Sequence, residues 1–161
     1  MKKMNPARQS KKLDSLVTDL VSGVLPGETV LGVGVDIVEV RRITALKDRP
    51  GGSFLGRSFT PAEIAECTGR AKPSIHYAGK WAAKEGVYKA LQLRWNRPFS
   101  WKEIEILYPG SGRVGAPQVN MTEQIREQIR REQGRVPPRL LVSISHTDEY
   151  AFAVALAIGP S

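Results

Sequence analysis

Gly79-Lys80-Trp81-Ala82-Ala83-Lys84-Glu85-Gly86-Val87-Tyr88-Lys89-Ala90-Leu91 is the stretch from which the rest of the chain can be read. Small and apolar side chains recur at Ile75, Ala78, Ala82, Val87, Ala90 and Leu91. That three-to-four spacing gives a helix one buried stripe and predicts an amphipathic helix from Lys72 to Gln92. Glu85 and Lys89 stand four apart, so they are neighbours on its surface, and Ala82 and Ala78 continue their row toward the N-terminus. Small side chains there let a second backbone approach where a carboxylate and an ammonium project. Taken alone, Lys84, Glu85 and Lys89 read more simply as a solvated face with one favourable ion pair.

The chain has 161 residues, 41% of them hydrophobic, which suits one domain with a real core and is short for two. A single cysteine, Cys67, excludes an internal disulfide, and no Cys/His cluster offers a zinc site; both favour a reducing, cytoplasmic compartment. No apolar run reaches the length of a membrane span and no continuous apolar signal segment opens the sequence, so no membrane association is expected. The net charge of +8 implies an anionic partner without choosing among nucleic acid, a phosphorylated small molecule and an acidic protein. Aromatic residues are few and not interleaved with the basic ones, which weighs against a single-strand or RNA-binding platform.

Residues 1–30 read as an extension. A basic arm (Lys2, Lys3, Arg8, Lys11, Lys12) leads into a helical pattern at Leu13, Leu16, Val17, Leu20, Val21 and Val24, ended by Gly23 or the Pro26-Gly27 turn. The domain then occupies 31–161. Leu31-Gly-Val-Gly-Val-Asp-Ile-Val-Glu-Val40 is a β-branched run that predicts a buried strand, interrupted by Asp36. A buried carboxylate needs a cation, a metal or donors, so Asp36 is either a helix cap, a salt-bridge partner of Arg41 or Arg42, or a metal ligand. Gly32 and Gly34 lack the third glycine and the Lys-Ser/Thr of phosphate-binding loops, which excludes a dinucleotide fold or P-loop.

A short helix over Arg41–Lys47 and a loop at Arg49–Ser53 follow. Thr60-Pro-Ala-Glu63 has the composition of a capping box with proline at the first helical position, opening a helix to about Cys67. Beyond the central helix, Glu103–Tyr108 alternates as a half-buried strand, Pro109–Gly112 is a turn, and Ala116–Val119 a short return. Asn120, with Glu123 three residues later, is expected to open a polar helix to about Gln133. Leu140–His146 and Tyr150–Ile158 are the clearest strands, and three residues between them predict a hairpin with His146 beside its turn. A lone histidine there is more often structural than ligand-binding, and Thr147 and Asp148 are ordinary turn residues.

Four segments, Gly34–Ile43, Phe59–Glu63, Ala78–Glu85 with Lys89, and Ser143–Tyr150, together resemble the holo-acyl-carrier-protein synthases, the small single-copy 4′-phosphopantetheinyl transferases. The resemblance spans about Leu31 to Ile158. It implies an α+β fold, a small antiparallel sheet packed on a long central helix, assembling as a homotrimer with sites between subunits. It also implies transfer of phosphopantetheine from coenzyme A to a serine of an acidic acyl carrier protein, leaving adenosine 3′,5′-bisphosphate. By resemblance Asp36 and Glu85 are magnesium ligands, and Asp36, Glu85 and Lys89 are the catalytic set. Lys80, Lys84, Lys89, His146 and Thr147 contact coenzyme A, with Lys80 on its 3′-phosphate. Arg42 stands at the main docking position for the carrier protein, with Arg49 and Arg57 in the same basic cluster. Two positions depart from the pattern: Lys80 where arginine is usual, which loses a bidentate fork, and Gly86 where alanine is usual, which costs helix stability.

The competing expectation is a non-catalytic basic binding module, RNA- or ribosome-associated, on the same fold. Its phosphate-backbone contacts would have no use for Asp36 and Glu85 aimed at the ligand, so the enzyme reading carries no nucleic-acid partner.

Overall fold

The computed structural model describes residues 27–49, 54–94, 98–109 and 115–160. The chain runs β1 (Glu28–Glu39), α1 (Val40–Lys47), α2 (Phe54–Ser58), α3 (Pro61–Thr68), α4 (Pro73–Leu91), a 3₁₀ turn (Trp101–Glu103), β2 (Ile104–Leu107), β3 (Gln118–Met121), α5 (Glu123–Gln133), β4 (Arg139–His146) and β5 (Tyr150–Pro160). β5 is the middle strand of an antiparallel sheet between β1 and β4, and β2 and β3 form a separate antiparallel pair. The expected hairpin is β4–β5, and the expected strand and return are β2 and β3. The architecture is α+β, with small antiparallel sheets and one long helix.

The period of β5 decides how that helix sits. Ala151, Ala153, Ala155 and Ala157 alternate with Phe152, Val154, Leu156 and Ile158, so one face of the strand carries only methyl groups. The register places those alanines opposite Val38, Asp36, Gly34 and Gly32 of β1. α4 lies on this shallow face with its own small residues, Ala78, Ala82, Gly86 and Ala90, all buried. Contact is backbone to backbone: a Cβ at Gly32 would lie 2.1 Å from the Ala90 carbonyl oxygen, and one at Gly34 1.9 Å from that of Gly86. The two glycines are therefore required for close approach, not for phosphate binding. A bulge at Leu31 resets the alternation, so that Val30 pairs with Ile158 while Gly32 pairs with Ala157.

Local signals account for most boundaries. The Thr60 hydroxyl accepts from the Glu63 amide while the Glu63 carboxylate accepts from the Thr60 amide, closing the predicted capping box. Pro73 takes the first position of α4, and Gln92, at φ 51°, closes it. The start of α5 differs from expectation. Asn120 pairs with Glu105 in the β2–β3 ladder and donates its side-chain amide to that carboxylate at 3.0 Å, so the helix opens only after the ladder ends, with Thr122 as its N-cap. β1 begins at Glu28, taking in the last three residues of the expected extension; the helical pattern at 13–24 lies outside the described residues.

The opposite face of the large sheet is apolar, and it is open along β1, where Val30, Val33, Val35 and Ile37 are 44–57% exposed. Beside them Val154, Leu156 and Ile158 of β5 are buried, with Leu141 of β4 packed against them. The central helix buries its apolar side within the subunit.

The packing separates two glycines that look alike in sequence. Gly34→Ala drives a methyl into fixed backbone and should destabilise the fold by about 3 kcal/mol or more. A Cβ at Gly86 would meet only ordinary contacts at 3.4 and 3.6 Å, so Gly86→Ala should be tolerated and stabilise by up to about 1 kcal/mol. Urea midpoints of the two variants check this contrast; similar effects at both positions would contradict the packing.

Candidate active site

Asp36 points from the inner face of β1 toward the exposed shoulder of α4. Because Gly34 rests on Gly86, the next inner-face residue along the strand arrives beside Glu85 and Lys89. The Lys89 ammonium donates to Asp36 at 2.8 Å and to the Val35 carbonyl at 2.8 Å. Two of the alternatives for Asp36 fall away. Arg41 is paired with Glu39 instead, and Glu39, not Asp36, occupies the N-cap of α1. The expected Glu85–Lys89 neighbour relation becomes a three-residue cluster, with Lys89 turned to the strand.

Glu85 is the strained member. Burial pushes its carboxyl pKa up, and the charge of Asp36 adds to the rise, while Lys89, the Trp81 side-chain hydrogen bond and Arg42 act against it. A carboxylate whose proton affinity is raised by burial and by a second carboxylate nearby leaves room for a divalent cation. Among the described residues there is no group of three metal-ligating side chains, which argues against an all-protein cage. Magnesium needs none: it keeps waters and accepts phosphate oxygens beyond one or two carboxylates. Asp36 and Glu85 thus fit that ion and would hold it.

A second feature lies further toward the N-terminus of α4, where a cleft of about 200 Å³ is lined by Arg70, His76, Gly79, Lys80, Ile144 and His146, among others. His146 ends β4 at the hairpin turn, as expected, with its ring edge-to-face to His76 at 5.8 Å. The Thr147 hydroxyl accepts from the Glu149 and Tyr150 amides at 3.2 and 3.0 Å, which shapes the turn. Lys72, at the start of α4, pins the same turn through Asp148 at 2.7 Å.

The remaining lysines are less available than the sequence suggested. Lys80 lines the cleft but is 2% exposed; its ammonium donates to the Ile106 carbonyl and to Glu66, and lies 5.7 Å from the Tyr108 ring centre. Lys84, expected among the coenzyme A contacts, is fully buried. Its ammonium donates to the Trp101 and Ile104 carbonyls and pairs with Glu63 at 2.9 Å, so its three protons all have partners within the chain. Burial lowers the Lys84 pKa, and Glu63 opposes the shift. Glu63 in turn accepts from the Ile106 amide at 2.9 Å. One ion pair thus ties α3, α4 and β2 together. The capping box revealed Glu63 as a helix-start residue, but nothing in the sequence linked it to Lys84. His76, Glu66 and Arg70 likewise carried no motif.

Of the three arginines expected to dock the carrier protein, Arg42 is exposed on α1 and close enough to Glu85 to lower its pKa. Arg49 and Arg57 are exposed further along, after α1 and on α2.

Lys84→Met keeps the length of the side chain and strands Glu63 as a buried, unpaired charge. It should cost about 3–5 kcal/mol of stability. Denaturant melts measure this, and a variant as stable as the parent would remove the structural role assigned to Lys84.

Comparison with known proteins agrees with this geometry. Residues 32–155 match the family described as the 4′-phosphopantetheinyl transferase superfamily. The chain is 39% identical over 126 residues to the holo-[acyl-carrier-protein] synthase of Protochlamydia amoebophila, covering 78% of this chain and 96% of that one. Among solved structures, the ACPS–CoA complex from Chronobacterium ammoniagenes superposes with a TM-score of 0.65 at 30% identity, covering 81% of this chain and 97% of that one. The Helicobacter pylori holo-[acyl-carrier-protein] synthase in complex with coenzyme A gives a TM-score of 0.62, also at 30% identity, over 78% and 98% of the two chains. Sequence and fold agree: the chain belongs to the 4′-phosphopantetheinyl transferase superfamily, within its holo-[acyl-carrier-protein] synthase branch.

Proposed function

We propose that this chain transfers 4′-phosphopantetheine from coenzyme A to a serine of an acidic apo acyl carrier protein, with magnesium held by Asp36 and Glu85. The observation that carries the reading is the convergence of Asp36, Glu85 and Lys89 from β1 and α4 in a member of this family. In the reaction the serine oxygen bonds to the β-phosphorus of coenzyme A. The bond from that phosphorus to the bridging oxygen breaks, the serine proton is released, and adenosine 3′,5′-bisphosphate leaves. Bound magnesium would neutralise the pyrophosphate and the charge developing on it. Lys89, freed from Asp36, is placed to hold a phosphate oxygen. His146 and Thr147, at the mouth of the hairpin turn, and Lys80, in the cleft wall, are the proposed coenzyme A contacts. Lys84 is left to structure. Arg42, beside Glu85, is where an acidic carrier protein would bring its serine, with Arg49 and Arg57 extending the basic approach.

A basic RNA-binding module, the alternative for so cationic a chain, gains nothing from a carboxylate pair at the ligand. No described helix is long and apolar enough to cross a membrane, and we assign the enzyme to the cytoplasm with its carrier protein.

Mass spectrometry of an apo carrier protein incubated with coenzyme A and magnesium tests the reading. It should show one added phosphopantetheine, with the rate lowered at least about a hundredfold by Asp36→Ala or Glu85→Ala, the scale of losing several kcal/mol of charge stabilisation. Arg42→Glu should raise the apparent KM for the carrier protein while that for coenzyme A barely moves. Full transfer by both alanine variants without added metal would sink the assignment.

The exposed apolar row of β1, Val30, Val33, Val35 and Ile37, is what copies of this chain would cover on assembling, and a closed ring of three is our proposal for that assembly. Light scattering should give a trimer mass, and Val35→Glu, which places a charge at the centre of the face, should shift it to monomer. A monomeric, fully active parent protein would exclude the assembly.

A further inference from the structure

The cleft beside α4 gathers several basic side chains around one carboxylate. Arg70 follows α3, His76 and Lys80 lie on α4, and His146 ends β4; Glu66 of α3 is the carboxylate among them. That carboxylate is already engaged: it accepts from Lys80 and from the Tyr108 amide, each at 3.3 Å, and stands 3.9 Å from the Arg70 guanidinium. His76 therefore sits half-buried among Arg70, Lys80 and His146, with its ring against that of His146. Burial first, then Arg70, His146 and Lys80, hold its pKa below the ordinary 6.5, and Glu66 is the one group opposing them. The field of these groups favours the uncharged imidazole. An entering anion would reverse the field that keeps it so.

We propose that His76 is a further binding residue of this cleft, taking up a proton as a dianionic phosphate monoester enters and donating a hydrogen bond to it beside His146 and Arg70. The inference rests on the coenzyme A reading, in which that group is the nucleotide's 3′-phosphate. No bond beyond the N–H forms; the proton comes from solvent. The sign follows from linkage. The free-state pKa is held below 6.5 and an anion bound beside the ring would raise it, so affinity is highest below the free-state value and falls as pH rises through the bound-state one. Each unit of separation is worth about tenfold in affinity.

Calorimetric titration of the full chain with coenzyme A at pH 7, in two buffers of different ionisation enthalpy, counts the protons taken up. The wild type should take up more than His76→Gln or His76→Phe, and its affinity should fall about tenfold more steeply between pH 6 and 8. The phosphate's own ionisation near pH 6 is common to all three proteins, and because His146 is coupled to His76, the same titration of His146→Gln separates the proton of one ring from that of the other. 3′-Dephospho-coenzyme A should remove the difference between wild type and variants. Inorganic phosphate should bind weakly but show the same histidine dependence; retention of the difference with dephospho-coenzyme A would assign the proton to another part of the ligand and overturn the proposal. Equal proton uptake and equal pH slopes in wild type and the Gln variant would overturn it too, with the transfer activity left standing. Absence of coenzyme A binding by the wild type would instead remove the function on which it rests. Thermal melts identify a misfolded Phe variant, in which case the polar Gln variant alone decides.

Discussion

Close contact between the backbones of β1 and α4 is the constraint on which this structure depends. With methyl groups on the inner face of β5, glycines on β1 and small residues along α4, the helix reaches van der Waals distance of the sheet backbone. Larger side chains would hold the two layers apart by the usual depth of a side-chain layer. Asp36 would then stand too far from α4 for the 2.8 Å contact with Lys89 or for its charge to act on Glu85. Tight packing at Gly34–Gly86 is thus also what sets the spacing of the carboxylates one residue pair further along.

Three lysines one or two turns apart on α4 show how position on one helix divides labour among identical side chains. Lys84 faces the interior and makes the Glu63 pair that anchors β2. Lys80 reaches the cleft wall with its charge mostly committed to Ile106 and Glu66. Lys89, near the C-terminal end, is 48% exposed on its side chain and holds Asp36 at the surface. The Asp36 side chain is only 13% exposed, so Lys89 can turn to a phosphate only as a cation takes its place beside Asp36. The fully buried Lys84–Glu63 pair is costlier still to break.

The elements themselves were largely legible in the chain, because each depends on neighbours within a few residues. The helical spacing over Ile75–Leu91, the capping box at Thr60 and the alternation of Tyr150–Ile158 all rest on local periodicity or local hydrogen bonds. One misplaced boundary, Asn120 read as a helix cap, failed for the complementary reason. Asn120 is a good capping residue locally, but pairing with Glu105 across the β2–β3 ladder holds it in strand. The resemblance of four separated segments also pointed to Asp36, Glu85 and Lys89, which the fold brings into one cluster.

What the sequence by itself determined was the set of elements, the small-residue faces that make α4 and the sheet compatible, and the identity of the charged residues at the site. The tertiary structure alone decided which charge meets which. Lys84 and Glu63, Lys89 and Asp36, and His76 and His146 are far apart along the chain, and their side chains meet only because the register of β1 and β4 on β5 and the seating of α4 on that sheet bring them together. Charge interactions fall off with distance and depend on burial, and neither is encoded in local spacing; the division between structural and available cations therefore emerges only once the layers have packed.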